Sequence, residues 1–598
     1  MERVPVLIVG GGGAGLTASM LLAGLGVDHL LINSRPTTSE LPKAHVLNQR
    51  AMEILDDAGI ADLIEHSGTP AEAMAATAFY AGFGGADPDA GRRIAKLQSW
   101  GAGGEDENWR AASPRRQCNL PQIRLEPLLR RRAEALAPDG VRFNHELIEL
   151  SQDPDGVTAA VRDNGGGREY EVRADYLIAA DGGRTIPPQI GVSYEGLGVV
   201  SEAVSFHVSA DFSQMAPDPD VLIRWIISPE RGAGVVMVPM GPERWGPASE
   251  EWVIHLQYLV GDPRAASDED VLADLREALA IPEMPMRIHK ISRWTVDAVL
   301  ASSFRRGRVF LVGDAAHRHP PTGGLGLNSA IHDVHNLCWK LAAVLDGQAG
   351  EALLDSYEPE RRPVVARNAQ RSLENAVNHL SMIAAAGVNQ EQGTGENRAS
   401  LRRLWSGDPA DAEHRAAVLR LVRAQSMEFN EHNVEYGFLH DTAVLPDGTP
   451  EPENTDDVRV YIPSTRPGSP LPHAWIDDAD GNRRPLKDLV RPGRFLLIAG
   501  EEGEEWCEAA RELAGELDLP LEAVRIGHLD GDLFDPRCTW LRHRRFGPQG
   551  AVLVRPDRYV AWRSMGAEEA PELLLREALE RVLARSCGAA ARKAEAAA

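Results

Sequence analysis

Cysteine is scarce in this 598-residue sequence, and its five copies are far apart. They are Cys118, Cys338, Cys507, Cys538 and Cys587. No CxxC pair occurs and no histidine stands at ligand spacing beside a cysteine, which argues against a zinc knuckle and a dithiol redox motif. This usage suits a reducing compartment, and we expect no metal site.

Long apolar runs and an excess of basic residues are also missing. No stretch reaches the roughly 18 uninterrupted apolar residues of a membrane span, and the first residues run directly into a predicted strand rather than a signal peptide. Acidic residues outnumber basic ones, 88 to 63, which gives a net charge of −25. Since nucleic-acid binding depends on phosphate neutralisation, we expect a cytoplasmic protein with neither a membrane nor a nucleic-acid partner.

Glycine, by contrast, is present in a defined pattern near the N-terminus. An apolar run (4–9) predicts a buried strand, a helical apolar spacing follows (16–25), and a second strand (29–33) completes a βαβ unit. Residues without a Cβ allow a sharp turn and the close approach of a pyrophosphate to the helix N-terminus, which offers free N–H donors. The turn therefore predicts a dinucleotide site that consists of Gly10, Gly12, Ala14 and Gly15.

The second strand ends at the position where a carboxylate usually binds the adenosine ribose. The residue here is Asn33, which accepts a hydrogen bond more weakly than a carboxylate does. Ser34 and Arg35 follow it, and an arginine in this place can hold a 2′-phosphate. The first motif alone therefore leaves open whether the nucleotide is FAD or NADPH.

A second motif, residues 308–328 (RVFLVGDAAHRHPPTGGLGLN), indicates a flavin. A predicted strand delivers Asp314 at a turn, where its carboxylate can accept hydrogen bonds from ribityl hydroxyls. Gly323, Gly324 and Gly326 let the backbone approach a flat ring. The helix that begins near Leu327 and Asn328 can stabilise negative charge on a reduced isoalloxazine.

A third segment, residues 175–183 (DYLIAADGG), lies between the other two motifs. An apolar strand ends in Asp181-Gly182, a turn that lets the backbone pass beside a pyrophosphate. Its position between the two other motifs favours a role in the same nucleotide site.

In this order the three motifs resemble those of the class A flavoprotein aromatic hydroxylases, the para-hydroxybenzoate hydroxylase type. The 308–328 run and KAHVLNQRAMEILDDAGI (43–60) are most similar to the phenol and 2,4-dichlorophenol hydroxylase branch. AVLVRPDRYVAWR (551–563) is similar to the thioredoxin-like C-terminal domain of that branch, which lacks catalytic cysteines. The resemblance implies one FAD bound through the three motifs, with Lys43 and Ala44 facing the pyrophosphate and Gln122 beside the flavin.

The resemblance also implies the chemistry. NADPH or NADH would reduce the flavin, and molecular oxygen would form a C4a-hydroperoxide that hydroxylates a small aromatic substrate. Pro320 and Pro321 would present backbone to flavin and substrate, and His45 would be the base on the substrate side. Arg224 and Trp225 are candidates to line the pocket, although strand alternation allows only one of them to face inward. The family's loop accounts for His317 and His319 without a metal.

The predicted fold class is α/β. It comprises an FAD-binding Rossmann-like βαβ domain with an inserted, mostly antiparallel substrate-domain sheet and a C-terminal thioredoxin-like α/β domain. The boundaries follow from the change in pattern along the chain. They are 1–200 for the first part of the FAD domain with a long surface loop at 81–107, 201–290 for the substrate sheet, 291–380 for the second FAD part, 381–455 for a helical segment and linker, and 456–590 for the C-terminal domain.

Several alternatives remain at this point. The same cofactor supports Baeyer–Villiger oxygenation of a polyketide ring, and related folds serve other FAD-dependent oxidoreductases, such as reductases of isoprenoid double bonds and epoxidases. A non-enzymatic flavin-binding or redox-sensing protein is a further alternative. The substrate is left open among a phenol, a hydroxypyridine and a polyketide-type natural-product intermediate, and we expect a homo-oligomer, a dimer or larger.

Overall fold

The computed structural model describes residues 1–585. In chain order its strands are β1 (Glu2–Val9), β2 (His29–Asn33), β3 (Val46–Leu47), β4 (Ala76–Ala81), β5 (Arg92–Gln98), β6 (Cys118–Asn119), β7 (Val141–Phe143), β8 (His145–Asp153), β9 (Gly156–Asp163), β10 (Glu169–Ala179), β11 (Tyr194–Ser209), β12 (Val221–Ser228), β13 (Ala233–Gly241), β14 (Glu251–Tyr258), β15 (Arg287–Ala301), β16 (Arg305–Arg306), β17 (Val309–Leu311), β18 (His317–Arg318), β19 (Trp475–Asp477), β20 (Arg483–Pro485), β21 (Phe495–Ala499), β22 (Leu521–Gly527), β23 (Leu533–Phe534), β24 (Ala551–Val554) and β25 (Val560–Ser564).

The helices of the same residues follow the strands in a mixed order. They are α1 (Gly13–Gly24), α2 (Gln49–Asp57), α3 (Ala61–Ser67), α4 (Trp100–Gly104), α5 (Glu107–Ala112), α6 (Gln122–Leu136), α7 (Ile186–Gln189), α8 (Asp268–Leu279), α9 (Leu325–Leu345), α10 (Tyr357–Ala385), α11 (Thr394–Arg402), α12 (Ala412–Gln425), α13 (His432–Tyr436), α14 (Glu504–Glu516), α15 (Thr539–Arg544) and α16 (Pro571–Val582). No helix within residues 1–585 is both long enough and apolar enough to cross a membrane.

The first sheet contains the predicted βαβ unit. Its strands run in the order β16-β17-β10-β1-β2-β7, and β8 and β9 extend it beside β10. β1 pairs in parallel with both β2 and β10. Val6, Leu7 and Ile8 are fully buried, as expected for a parallel strand covered on both faces. Helix α1 packs against α9 and α6, so the two predicted cofactor motifs are brought to the same end of this sheet.

The second sheet is mostly antiparallel, with the order β18-β15-β11-β14-β13-β12-β4-β5. One face packs on α8 around Phe206, Phe212 and Trp252. The other face, with Phe79, Val238 and helices α10 to α12, belongs to a separate core. The sheet therefore has one face toward its own covering helix and one toward the rest of the molecule.

Two predictions about this region are wrong. Residues 81–107 are not one long surface loop, because β5 pairs with β4 and α4 and α5 follow. The sheet also extends beyond residues 201–290, since β4, β5, β15 and β18 all belong to it. β5 is an edge strand whose basic residues pair across the sheet, Lys96 with Asp220 and Arg93 with Asp218, and such an edge lacks the apolar alternation that identifies a strand.

The third sheet has the order β20-β19-β23-β22-β21-β24-β25 and mixes parallel with antiparallel pairs. One of its faces packs with α14 and α16 against the second half of α9, including Trp339. The predicted domain end at 590 lies beyond the described residues. The likeness of this domain to thioredoxin stays a prediction.

A buried ionic network joins the third sheet to the first domain. Glu53 of α2 lies 2.9 Å from Arg50 Nη1 and 3.0 Å from Lys487 Nζ. Arg555 Nη1 lies 2.7 Å from Glu360 Oε1, and all five side chains are at most 2% exposed. Breaking such a pair leaves an uncompensated buried charge, so the network fixes how the C-terminal domain docks.

Candidate functional site

The glycine turn after β1 is formed by backbone that permits no side chain. A Cβ on Gly10, whose φ is +119°, would lie 2.1 Å from the carbonyl oxygen of Ala180. A Cβ on Gly15 would lie 1.9 Å from the carbonyl oxygen of Gly10. Both glycines are therefore required for the turn to pack against the end of β10.

Gly12 differs from these two because the space beside it is open. It is the N-cap of α1 and provides no side-chain hydrogen bond to the helix. A Cβ there would have one heavy-atom neighbour within 4 Å, Glu126 Oε1 at 3.6 Å. The free N–H groups of the α1 N-terminus therefore face a space that an anionic group can enter.

The start of α9 lies beside the start of α1. A Cβ on Gly13 would be 2.6 Å from Leu327 Cδ1, so the two N-termini are in contact. Gly324, in the left-handed region with φ +68°, is the N-cap of α9 and also provides no side-chain cap. Gly326 leaves room as well, since its nearest neighbour would be His319 at 3.7 Å. Two uncapped helix N-termini thus converge, and their dipoles favour negative charge at this point.

Asp333 of α9 anchors the turn that carries Asp314. The Gly313 amide donates to Asp333 Oδ2 over 3.1 Å, His317 Nε2 lies 2.8 Å from the same oxygen, and Arg361 Nε donates to Oδ1 over 2.9 Å. Burial alone would raise the pKa of Asp333, but His317 and Arg361 outweigh it and lower the pKa to about 2. Asp314 itself is exposed, as a contact to ribityl hydroxyls requires.

Asn33, which was predicted to accept a hydrogen bond from the adenosine ribose, makes its hydrogen bonds to the protein backbone. Asn33 Oδ1 accepts the Gly11 amide over 3.0 Å, and Asn33 Nδ2 donates to the Arg35 carbonyl. Asn33 therefore braces the glycine turn itself. Ser34 and Arg35 are exposed. The carboxylate beside Gly12 comes from the buried Glu126 of α6, which no local pattern at the end of β2 could indicate.

Asp181 is also engaged by its own backbone. Its Oδ2 accepts the amides of Thr185 and Ile186 over 2.7 and 2.9 Å, and Oδ1 accepts the Gly183 amide. A Cβ on Gly182, whose φ is +75°, would meet no heavy atom within 4 Å. The turn is thus rigid and has open space beside it, and the contacts of Asp181 and Gly182 with a cofactor stay predictions.

The Lys43 loop is fixed to the start of α6. The backbone N–H of Gln122 donates to the backbone carbonyls of Pro42 and Ala44 over 3.1 and 2.8 Å. Lys43 is exposed in a left-handed conformation, φ +37°, and within residues 1–585 its ammonium has no ion-pair partner. A free cation at this position is compatible with the predicted pyrophosphate contact.

His45 follows the same loop and is attached to the flavin motif. The next residue, Val46, accepts a hydrogen bond from Asn328 Nδ2 over 3.0 Å, and Asn328 Nδ2 also donates to the Gly324 carbonyl. His45 Nδ1 lies 2.6 Å from Asn119 Oδ1. The ring is therefore held by a side chain of β6.

Arg224 and Trp225 face opposite sides of β12, as alternation requires. The Arg224 guanidinium donates to the carbonyls of Val221 and Asp218 over 2.8 and 2.7 Å, and it lies over Trp252 in the core beside α8. Both terminal nitrogens of Arg224 are thus bonded on the face beside α8, which argues against the prediction that Arg224 lines the substrate pocket. Trp225 points to the other side.

On that side Trp225 belongs to a cluster of side chains that contacts the loop of the second motif, residues 319–324. Its ring stacks on His379, with centroids 3.7 Å apart. His379 Nε2 lies 2.6 Å from Glu428 Oε2, and Glu428 Oε1 accepts the Gly323 amide over 3.1 Å. Thus the loop that contains the buried Pro320 and the exposed Pro321 is held from behind. Neither His379 nor Glu428 has a local sequence signal.

Two groups within residues 1–585 have ligand atoms close enough for a metal, within 4.8 Å of one another. One comprises His207, Glu251 and His289. Glu251 already accepts Arg124 Nη2 over 2.8 Å. The other group, around Glu360, includes a carboxylate paired with Arg555. In each group one carboxylate therefore already pairs with an arginine.

Family models match most of the chain. The model described as an FAD binding domain matches residues 3–372, and the model described as an aromatic-ring hydroxylase C-terminal domain matches residues 464–590.

Individual proteins agree with these models over nearly the whole length. The 2,4-dichlorophenol 6-monooxygenase of Delftia acidovorans is 35% identical, over 97% of this chain and 98% of its own. Tetracenomycin B2 monooxygenase-dioxygenase of Streptomyces olivaceus is 33% identical, over 98% of this chain and 100% of its own. The crystal structure of the flavin-dependent monooxygenase PieE with FAD and substrate superimposes with a TM-score of 0.90 at 38% identity, and it covers 98% of this chain and 99% of that one.

Proposed function

The chain belongs to the FAD-dependent aromatic-ring hydroxylases, and from this premise we propose which of its residues serve the reaction. It is an FAD-dependent monooxygenase that consumes NAD(P)H and hydroxylates an aromatic ring. The observation that carries the residue assignment is the convergence of the α1 and α9 N-termini, both uncapped and both bordered by glycine.

The residues present fit FAD. The open space at Gly12, the free N–H groups of α1 and the exposed Lys43 suit the pyrophosphate. Asp314 would accept the ribityl hydroxyls, and the α9 N-terminus behind Gly324 would face the flavin ring. FAD, once bound and reduced, supplies the activation of oxygen. The protein positions the aromatic ring, excludes water and handles the proton of a ring hydroxyl.

His45 is the proposed group on the substrate side. Asn119 Oδ1 can only accept a hydrogen bond, so the proton of the His45 ring lies on Nδ1 and Nε2 carries a lone pair. Burial lowers the pKa of His45 in spite of the Asn119 hydrogen bond, which raises it. The ring is therefore neutral at pH 7, and Nε2 can accept the proton of a substrate hydroxyl.

The test follows NADPH and NADH oxidation by the purified holoenzyme with a panel of phenols, hydroxypyridines and quinones, and it measures hydrogen peroxide and product mass together. We expect one aromatic to stimulate oxidation strongly and to gain one oxygen with little peroxide. In the His45→Ala variant we expect hydroxylation to fall about 100-fold or more, which is the lower end of general acid–base contributions, with FAD still bound.

Unchanged turnover in His45→Ala would refute the role of His45 without affecting the family assignment. Peroxide without oxygenated product would identify a substrate mimic. His145→Ala is the matched control, because this histidine packs on Tyr170 at the far edge of the first sheet, and we expect it to retain full activity.

We further propose that the chain forms a homo-oligomer. Leu197, Val199 and Val200 of β11 and Leu259 and Val260, which follow β14, are exposed apolar side chains on one region of the second sheet. Burial of such a patch by another copy would be favourable. Sedimentation equilibrium decides the matter, since a monomer has a mass of 65.0 kDa.

A further inference from the structure

Two histidines from different domains lie together between the second sheet and the flavin motif. His45 precedes Val46, whose carbonyl is bound by Asn328 of α9. His255 is on β14 and alternates with Trp252 and Ile254, which face the α8 core, so it points to the opposite face. The backbone N–H of Gln122 holds the Ala44 carbonyl, and Arg124 in the same helix turn donates to Glu251 of β14 over 2.8 Å. Val46 and Val253 also belong to one core, so the His45 loop lies against the face of β14 that carries His255.

The hydrogen bonds of His255 define its tautomer. Its Nδ1 lies 2.7 Å from Ser205 Oγ, which also accepts Trp294 Nε1 over 2.8 Å. Ser205 is buried, and its single proton has a partner only if it is donated to His255 Nδ1. His255 Nδ1 is then the acceptor, and the ring proton lies on Nε2.

The two rings therefore present opposite functions. His45 Nε2 offers a lone pair, whereas His255 Nε2 offers an N–H. Neither Nε2 atom makes a hydrogen bond to another residue within 1–585, and both rings are half-buried. Burial holds both rings neutral, since it lowers the pKa of His45 and brings that of His255 to about 4. The tautomers are thus determined by Asn119 and Ser205 and not by solvent.

The next polar groups on this face are already satisfied. His207, two residues along β11 from Ser205, has its Nε2 2.6 Å from Glu251 Oε2. Glu251 also accepts Arg124, and His289 Nε2 bonds Ser209 Oγ. His45 and His255 therefore have unused hydrogen-bonding atoms, unlike the polar row beside them.

We propose that His45 and His255 form a paired recognition site for an aromatic ring that carries a hydroxyl and a carbonyl on one edge, as in a hydroxyquinone. The hydroxyl donates to His45 Nε2, and the carbonyl accepts from His255 Nε2. This proposal rests on the proposed function and narrows its substrate class. His255 is a specificity-determining residue in this scheme, and Ser205 and Trp294 are positioning residues that hold its tautomer.

The test measures binding to the oxidised holoenzyme, through the change in flavin absorbance, so that it does not depend on turnover. Three matched probes are 1-hydroxyanthraquinone, anthraquinone, which lacks the hydroxyl, and 1-hydroxyanthracene, which lacks the carbonyls. Loss of one neutral hydrogen bond corresponds to about 5-fold in affinity. We expect the wild-type enzyme to bind 1-hydroxyanthraquinone about 5-fold more tightly than either of the other two.

The variants should then separate the two contacts. His255→Phe should weaken the two carbonyl-bearing probes about 5-fold and leave 1-hydroxyanthracene unchanged. His45→Phe should weaken the two hydroxyl-bearing probes by the same factor and leave anthraquinone unchanged. His255→Gln, whose amide N–H reaches a similar position to Nε2–H, should recover much of the loss. His145→Phe and the FAD content of each variant are the controls.

Three results would overturn the pair. They are equal weakening of all three probes by both variants, no change in any of them, or no preference of the wild-type enzyme for 1-hydroxyanthraquinone. The single-ring probe 3-hydroxy-4-pyridone carries both groups, so a loss of about 5-fold in each of His45→Phe and His255→Phe would support the pair for a smaller substrate. If hydroxylation is demonstrated while this pattern fails, the substrate class is wrong and the proposed function stands.

Discussion

The molecule contains two strand–helix–strand units of the same kind, and they differ at the N-terminus of the connecting helix. In the first unit, β1 and β2 pair in parallel and α1 connects them. In the second unit, β21 and β22 pair in parallel and α14 connects them. The helix α1 has no acidic residue in its first turn, whereas α14 begins with Glu504 and Glu505. A negative side chain at a helix N-terminus neutralises the positive end of the dipole.

The turns before the two helices show the same contrast. In the second unit the amides of Gly500 and Glu502 donate to the carbonyls of Gly550 and Pro548, and a Cβ on Gly500 would lie 2.3 Å from the Pro548 carbonyl oxygen. The chain itself thus covers that turn. In the first unit the space beside Gly12 is open. Equal topology therefore gives a cofactor site only where the helix N-terminus is left free and accessible.

The largest effect is expected from Gly15→Ala, which removes the feature that defines the first unit. The new Cβ would overlap the Gly10 carbonyl oxygen at 1.9 Å, so the turn must move. We expect purified protein without flavin and a destabilisation of about 3 kcal/mol, the upper end of overpacking costs. Absorbance at the flavin bands and urea unfolding measure both.

The matched control for that variant is on the same helix. Gly24→Ala adds a Cβ that meets no atom within 4 Å, so FAD content should be unchanged and stability should rise slightly. Retention of FAD in Gly15→Ala would show that the turn adapts and that the comparison of the two units rests on something other than close packing.

The next effect concerns how the C-terminal domain, which contains the second unit, docks on the domain that contains the first. Glu53→Gln leaves Arg50 and Lys487 without their buried counter-charge, which costs about 3 kcal/mol. We expect a lower urea midpoint at pH 7, while FAD remains bound because Glu53 is not part of the glycine turns. The surface pair of the exposed Glu516 and the half-buried Arg576 provides the control, and Glu516→Gln should have little effect.

Glu53 also predicts a dependence on pH. Burial would raise its pKa, but Lys487 and Arg50 outweigh this and lower the pKa from 4.5 to about 2. Because the folded pKa is the lower one, its stabilisation is fully present above pH 4.5 and is lost as the pH falls toward about 2. Unfolding midpoints measured between these values should fall less steeply in Glu53→Gln than in the wild type, and parallel curves would contradict the role of this carboxylate.

The smallest effect is expected from Gly12→Asp, which makes α1 resemble α14. The φ of Gly12 is −91°, so a side chain is tolerated. An N-cap aspartate gains only a few tenths of a kcal/mol over glycine, and here it lies beside the Glu126 carboxylate, so we expect the stability of the apoprotein to change little. The same carboxylate would repel a pyrophosphate, and we expect FAD affinity to fall by about 10-fold or more. Titration of apoprotein with FAD and urea unfolding of the apoprotein measure the two effects.

Gly12→Ala separates charge from size, because it adds a Cβ without a carboxylate. Its FAD affinity should lie between those of the wild type and Gly12→Asp. If both variants bind FAD as the wild type does, the cofactor does not approach α1, and the assignment of this turn fails.

The sequence by itself determined the parts that depend on neighbours along the chain. The first βαβ unit, its glycine turn and the second flavin motif are each written in a contiguous run of residues, because strand burial, tight turns and helix starts are local properties. The family resemblance based on these runs is confirmed by the family models and relatives, and FAD and the monooxygenase class follow from it.

Only the tertiary structure decided which side chains meet across elements. The edge strand β5, the face to which Arg224 points, the carboxylate of Glu126 beside Gly12 and the proposed pairing of His45 with His255 all depend on sheet register and on how domains pack. Each joins residues that are far apart in the chain, and no local spacing encodes such a contact. The sequence therefore determined the cofactor and the class of reaction, whereas the packing of the second sheet on the flavin domain decided which side chains lie together beside the flavin motif.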